Sequence, residues 1–260
     1  MTSASFPISR RRAGAGGCLL GLLLLALPGL AASWALPFRP GERITLNVSW
    51  SDTVVAATLT LDVTGREVAG GVSCLSLRGE VKPSAVIGKL YPVYYKAESL
   101  LEEVTLLPQR ASMYNREKSR IRRKNTYFDR RAGRVYYTYQ TRSLQKKDFP
   151  ADRQVIDLLS WLYVLRASPL REGWTAPVQV TDNGRLFTLR CQVTRGAPVK
   201  TTLGELPVWR LVPRVENAGG QKVPRRMVLW MSGDERRLPL RFEVDLPVGK
   251  FVAMLSDYTR

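Results

Sequence analysis

Apolar residues alternate with polar ones through most of this chain, and a period of two admits few folds. In "ITLNVSW", Ile44, Leu46, Val48 and Trp50 share one face. In "ATLTLDV", Ala57, Leu59, Leu61 and Val63 do the same, and "VSCLSLRGEV" continues the pattern. Successive side chains of a strand point to opposite faces, so strict alternation means strands with one face buried. "VQVTDNGRLFTLRCQV" reads as two strands around Asp182-Asn183-Gly184, because Asn and Gly tolerate the positive φ of a tight hairpin turn. "LPVWRLVPRV", "RRMVLWMS", "LPLRFEVDL" and "GKFVAMLSDY" supply further strands, the last two joined around Pro247-Val248-Gly249. The expected fold is all-β: a mainly antiparallel, strongly curved sheet or partly open barrel.

One segment breaks the pattern. In "PADRQVIDLLSWLYVLRASP", Val155, Leu158, Leu159, Leu162 and Leu165 follow helical spacing. Pro150 and Asp152 suit a helix start, and Ser168-Pro169 ends it. One main helix near 153–167, packed against the sheet, is therefore expected. "ENAGGQK", residues 216–222, reads as a loop.

The N-terminus reads as an export signal. Arg10, Arg11 and Arg12 precede the apolar run "CLLGLLLLALPGLAA", and Ser33-Trp34-Ala35 has the small residues of a cleavage site. The run is shorter than the roughly 20 residues of a membrane span. Residues 1–35 are thus expected to be a signal peptide removed near Ala35, by general or twin-arginine export, leaving residues 36–260 as a single β-rich domain in the periplasm or beyond. The chain has 40 basic and 22 acidic residues; without the three leader arginines its net charge is +15. So basic a protein is drawn to anionic surfaces. In an envelope these are lipids, lipopolysaccharide or acidic glycans, and nucleic acid is disfavoured. A protein partner is a further option.

The strongest charge feature is "REKSRIRRK". Read as one extended strand, Arg116, Lys118, Arg120, Arg122 and Lys124 fall on one face as a ladder roughly 27 Å long. It is either a docking strip for an anion or a solvated edge that discourages aggregation. Outside the leader, Cys74 and Cys191 form one disulfide or remain two separate buried thiols.

The chain has no histidine. That removes His-based triads and nearly every catalytic zinc arrangement. There is no CxxC and no phosphate-binding glycine loop. Glu102 and Glu103 would face opposite sides of a strand, and Asp234 and Glu235 sit beside two arginines in a turn. Asp157 and Ser160, one helical turn apart, read as a polar pair facing a cavity or as a helix start satisfied locally. Trp50, Trp161, Trp174, Trp209 and Trp230 could line a cleft, but burial alone accounts for such residues. No catalytic residue, metal site or cofactor is expected.

Five stretches in order resemble a family of exported bacterial proteins known as domain of unknown function 3108. They are "PFRPGERITLNVSW" (37–50), "LYPVYYKAESL" (90–100), "YFDRRAGRVYY" (127–137), "IDLLSWLYVLRASPLREGW" (156–174) and "VLWMSGDERRLPLRFEV" (228–244). The resemblance implies an envelope location and a β-rich fold, and it carries no activity. By analogy with open-barrel lipid carriers, the expectation is a non-catalytic envelope protein. Its concave face would take a lipid-like group and its basic face an anionic one. The alternatives are a structural or assembly factor that binds an acidic polysaccharide or protein through the basic strand, and, last, a carboxylate-based hydrolase.

Overall fold

Alternation becomes strand almost wherever it occurs. The computed structural model describes residues 35–50, 54–223, 226–246 and 249–260. Residues 1–34 of the expected leader and residues 247–248 of the last turn lie outside them. The chain divides into the units Met1–Ala35 and Leu36–Arg260, and the sheet belongs to the second. Its first half contains β1 (Arg43–Trp50), β2 (Val54–Ala69), β3 (Val72–Pro83), α1 (Ala85–Leu90), β4 (Val93–Glu102), β5 (Pro108–Glu117), β6 (Arg120–Asp129), β7 (Arg134–Gln140) and β8 (Leu144–Pro150). Next come β9 (Ile156–Asp157), α2 (Leu158–Ala167), β10 (Gly173–Trp174), β11 (Val178–Asp182), β12 (Arg185–Thr201), β13 (Gly204–Asn217), β14 (Met227–Ser232), β15 (Pro239–Leu246) and β16 (Gly249–Thr259).

All strands join one sheet, in the order β8 back to β1, then β16 back to β11, then β9, with β10 paired to β12. Two meanders thus meet where β1 pairs with β16, Ile44 opposite Tyr258 and Leu46 opposite Leu255. Neighbours are antiparallel except the short β9–β11 pair. The order does not close on itself: β8 and β9 are its two ends.

The concave face is filled by α2. A helix that is apolar all round needs apolar surface on every side. Trp161 and Leu165 pack on Leu189, Cys191, Leu211 and Met231. Leu159 and Leu162 meet Leu46, Leu61 and Leu240. Tyr163 joins Phe38, Leu75, Leu77 and Leu101. The helix starts later than its periodicity suggests. Ile156 is extended and pairs with Val180, so Asp157 is the N-cap and the first helical residue is Leu158. The inward face of β1 is buried at Ile44 and Leu46 but runs out at the rim, where Trp50 is half exposed.

Side chains bridge the open seam. The Arg130 guanidinium donates to the carbonyls of Pro108 at 2.7 Å and Val155 at 3.0 Å, and also to that of Arg153. Asp152 N–H donates to Gln179 Oε1 at 2.7 Å. At the β11–β12 turn, Asn183 and Gly184 both have positive φ, +51° and +66°. Gly184 presses against the Tyr137 ring, where a Cβ would lie 2.6 Å from a ring carbon. Glycine is therefore required there by both conformation and space.

Candidate anion-binding site

The five-cation ladder is folded in two. β5 ends at Glu117, Lys118 takes a positive φ of +54°, and β6 starts at Arg120. Arg116 pairs with Ile121 across this hairpin. It belongs to the register positions facing away from α2, while Lys118 lies in the turn with its ammonium 5.4 Å from the Tyr91 ring centre. Arg120, Arg122 and Lys124 share the parity of buried Phe128 and face the concave side near the mouth. A strand-length strip does not exist, because a tight turn replaces its middle.

Two of the five cations enter a different constellation. Arg122 and Lys124 line an open pocket of about 640 Å³ with Tyr137, Tyr139, Gln145, Lys146, Lys147, Asn183 and Arg185. Five of the nine lining residues are cationic and none is a carboxylate. Pairing of β6, β7 and β8 sets Lys124 beside Tyr139, and Tyr137 beside Lys147. The β11–β12 turn closes the far wall: Lys147 Nζ donates to Gly184 O at 2.7 Å, and Lys124 Nζ donates to Asn183 Oδ1.

The electrostatics of the walls differ. Arg122 donates to Glu117 Oε1 at 2.8 Å, and this bond holds the Glu117 carboxyl below its usual range. Burial pushes Lys124 below the ordinary ammonium value, with Asp182 opposing. Burial also pushes the Tyr137 phenol up to about 12. Arg185, Lys146 and Lys147 are exposed. The site therefore has a partly desolvated floor and a solvated cationic rim.

Sequence reading found Arg122 and Lys124 and missed Arg185, Lys146 and Lys147. The "QKKDF" run and the residue after Asn183-Gly184 were visible, but only the near-closure of the sheet brings them together.

Below the pocket, a void of about 90 Å³ reaches the start of α2. That is well under the ~300 Å³ of small-molecule sites. Asp157 lines this void and Ser160 does not, and the chemistry of both is spent locally. Asp157 Oδ1 accepts from the N–H groups of Leu159 and Ser160 at 2.9 and 3.0 Å, and Oδ2 from the hydroxyls of Ser160 and Ser99 at 2.6 and 2.8 Å. Of the tryptophans, Trp161 and Trp209 are core, while Trp174 lies under the guanidinium groups of Arg190 and Arg214. Asp234 pairs with Arg236, as its turn suggests. Cys74 and Cys191 are separate buried thiols without a bridge, Cys191 lying in the cluster around Trp161. A second pocket of about 260 Å³ opens near Arg78, Glu98, Arg110 and Glu67, whose charges pair with one another. Among the described residues no group of three or more His, Cys, Asp or Glu could hold a metal ion.

Among solved structures, the chain is similar to a β-barrel-like protein of the domain of unknown function DUF1849 from Brucella abortus. The TM-score is 0.54 at 7% identity, covering 84% of this chain and 96% of that one. This likeness is one of fold. A protein described as exported, with a YmcC-like fold, from Bacteroides fragilis matches at TM-score 0.35 and 10% identity, over 86% and 98% of the two chains. One described as a lipoprotein, from Parabacteroides distasonis, matches at 0.36 and 6%, over 85% and 96%. A search of curated proteins finds no match. The family model for the protein of unknown function DUF3108 matches residues 30–256, and this chain belongs to that family.

Proposed function

We propose that this is a non-catalytic protein of the cell envelope that binds an oxyanion-bearing ligand at the mouth of its split barrel. The leader-like residues 10–35 support export. The pocket between β6–β8 and the β11–β12 turn carries the binding reading. Five cations surround one open space with no lining carboxylate. Like charges so placed repel, and a bound phosphate or carboxylate group relieves that repulsion while accepting charge-assisted hydrogen bonds. Tyr137 and Tyr139 add flat apolar surface and two hydroxyls.

The lack of histidine, and the commitment of Asp157, Ser99 and Ser160 to the start of α2, support a binding role over a hydrolytic one. The filled concave face argues for a head-group or acidic-polymer ligand over a deeply enclosed acyl chain.

Titration with inorganic polyphosphate and with polygalacturonate tests this reading and separates phosphate from carboxylate recognition. Arg185→Glu together with Lys146→Glu should weaken the preferred polymer by at least about tenfold, since each charge-assisted contact is worth that much. Absence of binding to both polymers, or an unchanged affinity in the double variant, would overturn it.

A further inference from the structure

The two ends of the barrel differ in character. Because sheet neighbours are antiparallel, the end of β1, the start of β2 and the β3–β4, β5–β6 and β7–β8 connections all lie at the end that holds the basic pocket. Exposed apolar side chains gather there: Val54 and Val55 at the start of β2, Val86, Leu90 and Tyr91 on and after α1. Val86 and Leu90 are 69% and 77% exposed. Trp50, half exposed at the end of β1, stacks its ring on Phe251 at 6.4 Å.

α1 is the informative element. Four of its six residues, "AVIGKL", are apolar, yet none is buried. So short a helix is not stable by itself in water and ordinarily depends on burying one face. Here its placement comes from neighbouring backbone: Ser84 N donates to Ala56 O, and Lys118 N to Pro92 O, both at 2.8 Å. The fold thus holds an apolar prow outward from the barrel.

Charge at the same end is mostly of one sign. The segments 84–92, 117–120 and 140–144 carry Lys89, Lys118, Arg120 and Arg142 and a single acid, Glu117, which is tied to Arg122. The turns of the opposite end are mixed: Glu103, Asp234 and Glu235 lie there with Arg130, Arg131, Arg236 and Arg237. Exposed aliphatic and aromatic groups ringed by cations match a bilayer of anionic lipid, whose interface accepts the apolar groups and whose head groups attract the cations.

We infer that this protein docks by its α1 end on an anionic lipid surface, with Val86, Leu90 and Tyr91 entering the interface. The basic pocket then faces the same membrane. The docking reading does not depend on that pocket, because α1 and its flanks lie outside the pocket's walls.

Flotation with vesicles of phosphatidylglycerol and phosphatidylcholine in equal parts, against phosphatidylcholine alone, tests it. The wild-type protein should float with the anionic vesicles, and less so as salt rises. Val86→Ser with Leu90→Ser should lower partitioning by about tenfold or more, while leaving the circular dichroism spectrum and polyphosphate affinity unchanged. Val104→Ser, at the opposite end, should float like wild type. Equal flotation on both vesicles, an unaffected α1 variant, or an equal loss in Val104→Ser would overturn the inference. So would an α1 variant that alters only self-association or protein capture.

Discussion

Arg166 donates to both carboxylate oxygens of Glu42, at 2.6 and 3.0 Å, across 124 positions of sequence. Both side chains are essentially inaccessible. The guanidinium N–H groups also reach the carbonyls of Pro37, Arg236 and Arg237, and the guanidinium carbon lies 5.2 and 5.3 Å from the ring centres of Phe38 and Tyr163, which meet each other edge to face. This latch ties the end of α2 to the segment before β1 and to the β14–β15 turn. Removing one partner of such a pair strands the other. Arg166→Leu should therefore cost about 3–5 kcal/mol in urea unfolding. Arg166→Leu with Glu42→Leu should recover part of that, because no isolated charge then stays buried.

The start of α2 should prove structural and not chemical. Asp157→Ala removes the helix cap and the carboxylate that accepts from the hydroxyls of Ser99 and Ser160. About 2–3 kcal/mol of stability should be lost. Ser99→Ala removes one hydroxyl and should cost about 1 kcal/mol. Neither change should alter polyphosphate affinity at the pocket if the two regions are separate, which the same titrations would measure.

High pH should weaken the fold before the phenols and buried thiol ionise in the native state. The Glu80 hydrogen bond pushes Tyr94 up to about 12, and burial pushes Tyr95, Tyr137 and Cys191 to about 12. These groups lose their protons more readily in the unfolded chain, near 10 for tyrosine and 9 for cysteine. Their contribution is complete below those values and is lost as pH rises towards about 12. Urea midpoints should fall steadily over that window. Phenolate absorbance of the native protein should lag that of the unfolded chain. At neutral pH, alkylation of Cys74 and Cys191 should require denaturation, since both are buried.

Much of the architecture was legible because burial on one face writes itself as alternation. Ile44 and Leu46, Leu61 and Val63, and Asn183-Gly184 each sit where local pattern places them. Two local errors came from tertiary choices. Val155 carries the helical apolar spacing, but pairing with Val180 holds the next residue, Ile156, extended. Glu117-Lys118-Ser119-Arg120 contains no Gly, Pro or Asn, so the hairpin that folds the basic run carried no turn signal. Lys118 accepts the left-handed conformation in its place. The pocket was illegible for another reason. Its cations come from β6, β8 and the β11–β12 turn, and their meeting depends on how far the sheet curls, which no local window records.

The seam between β8 and β9 gives the mouth a mechanical property. A fully paired cylinder has a circumference set by its hydrogen-bond ladder, and widening it means breaking rungs. This sheet is a split ring. Its two lips are held by Arg130, Lys124, Lys147 and the Asn183-Gly184 tip, which can part while every strand keeps its neighbours. The ring can therefore widen without breaking a ladder, and the contacts that resist widening include the same lysines that line the pocket.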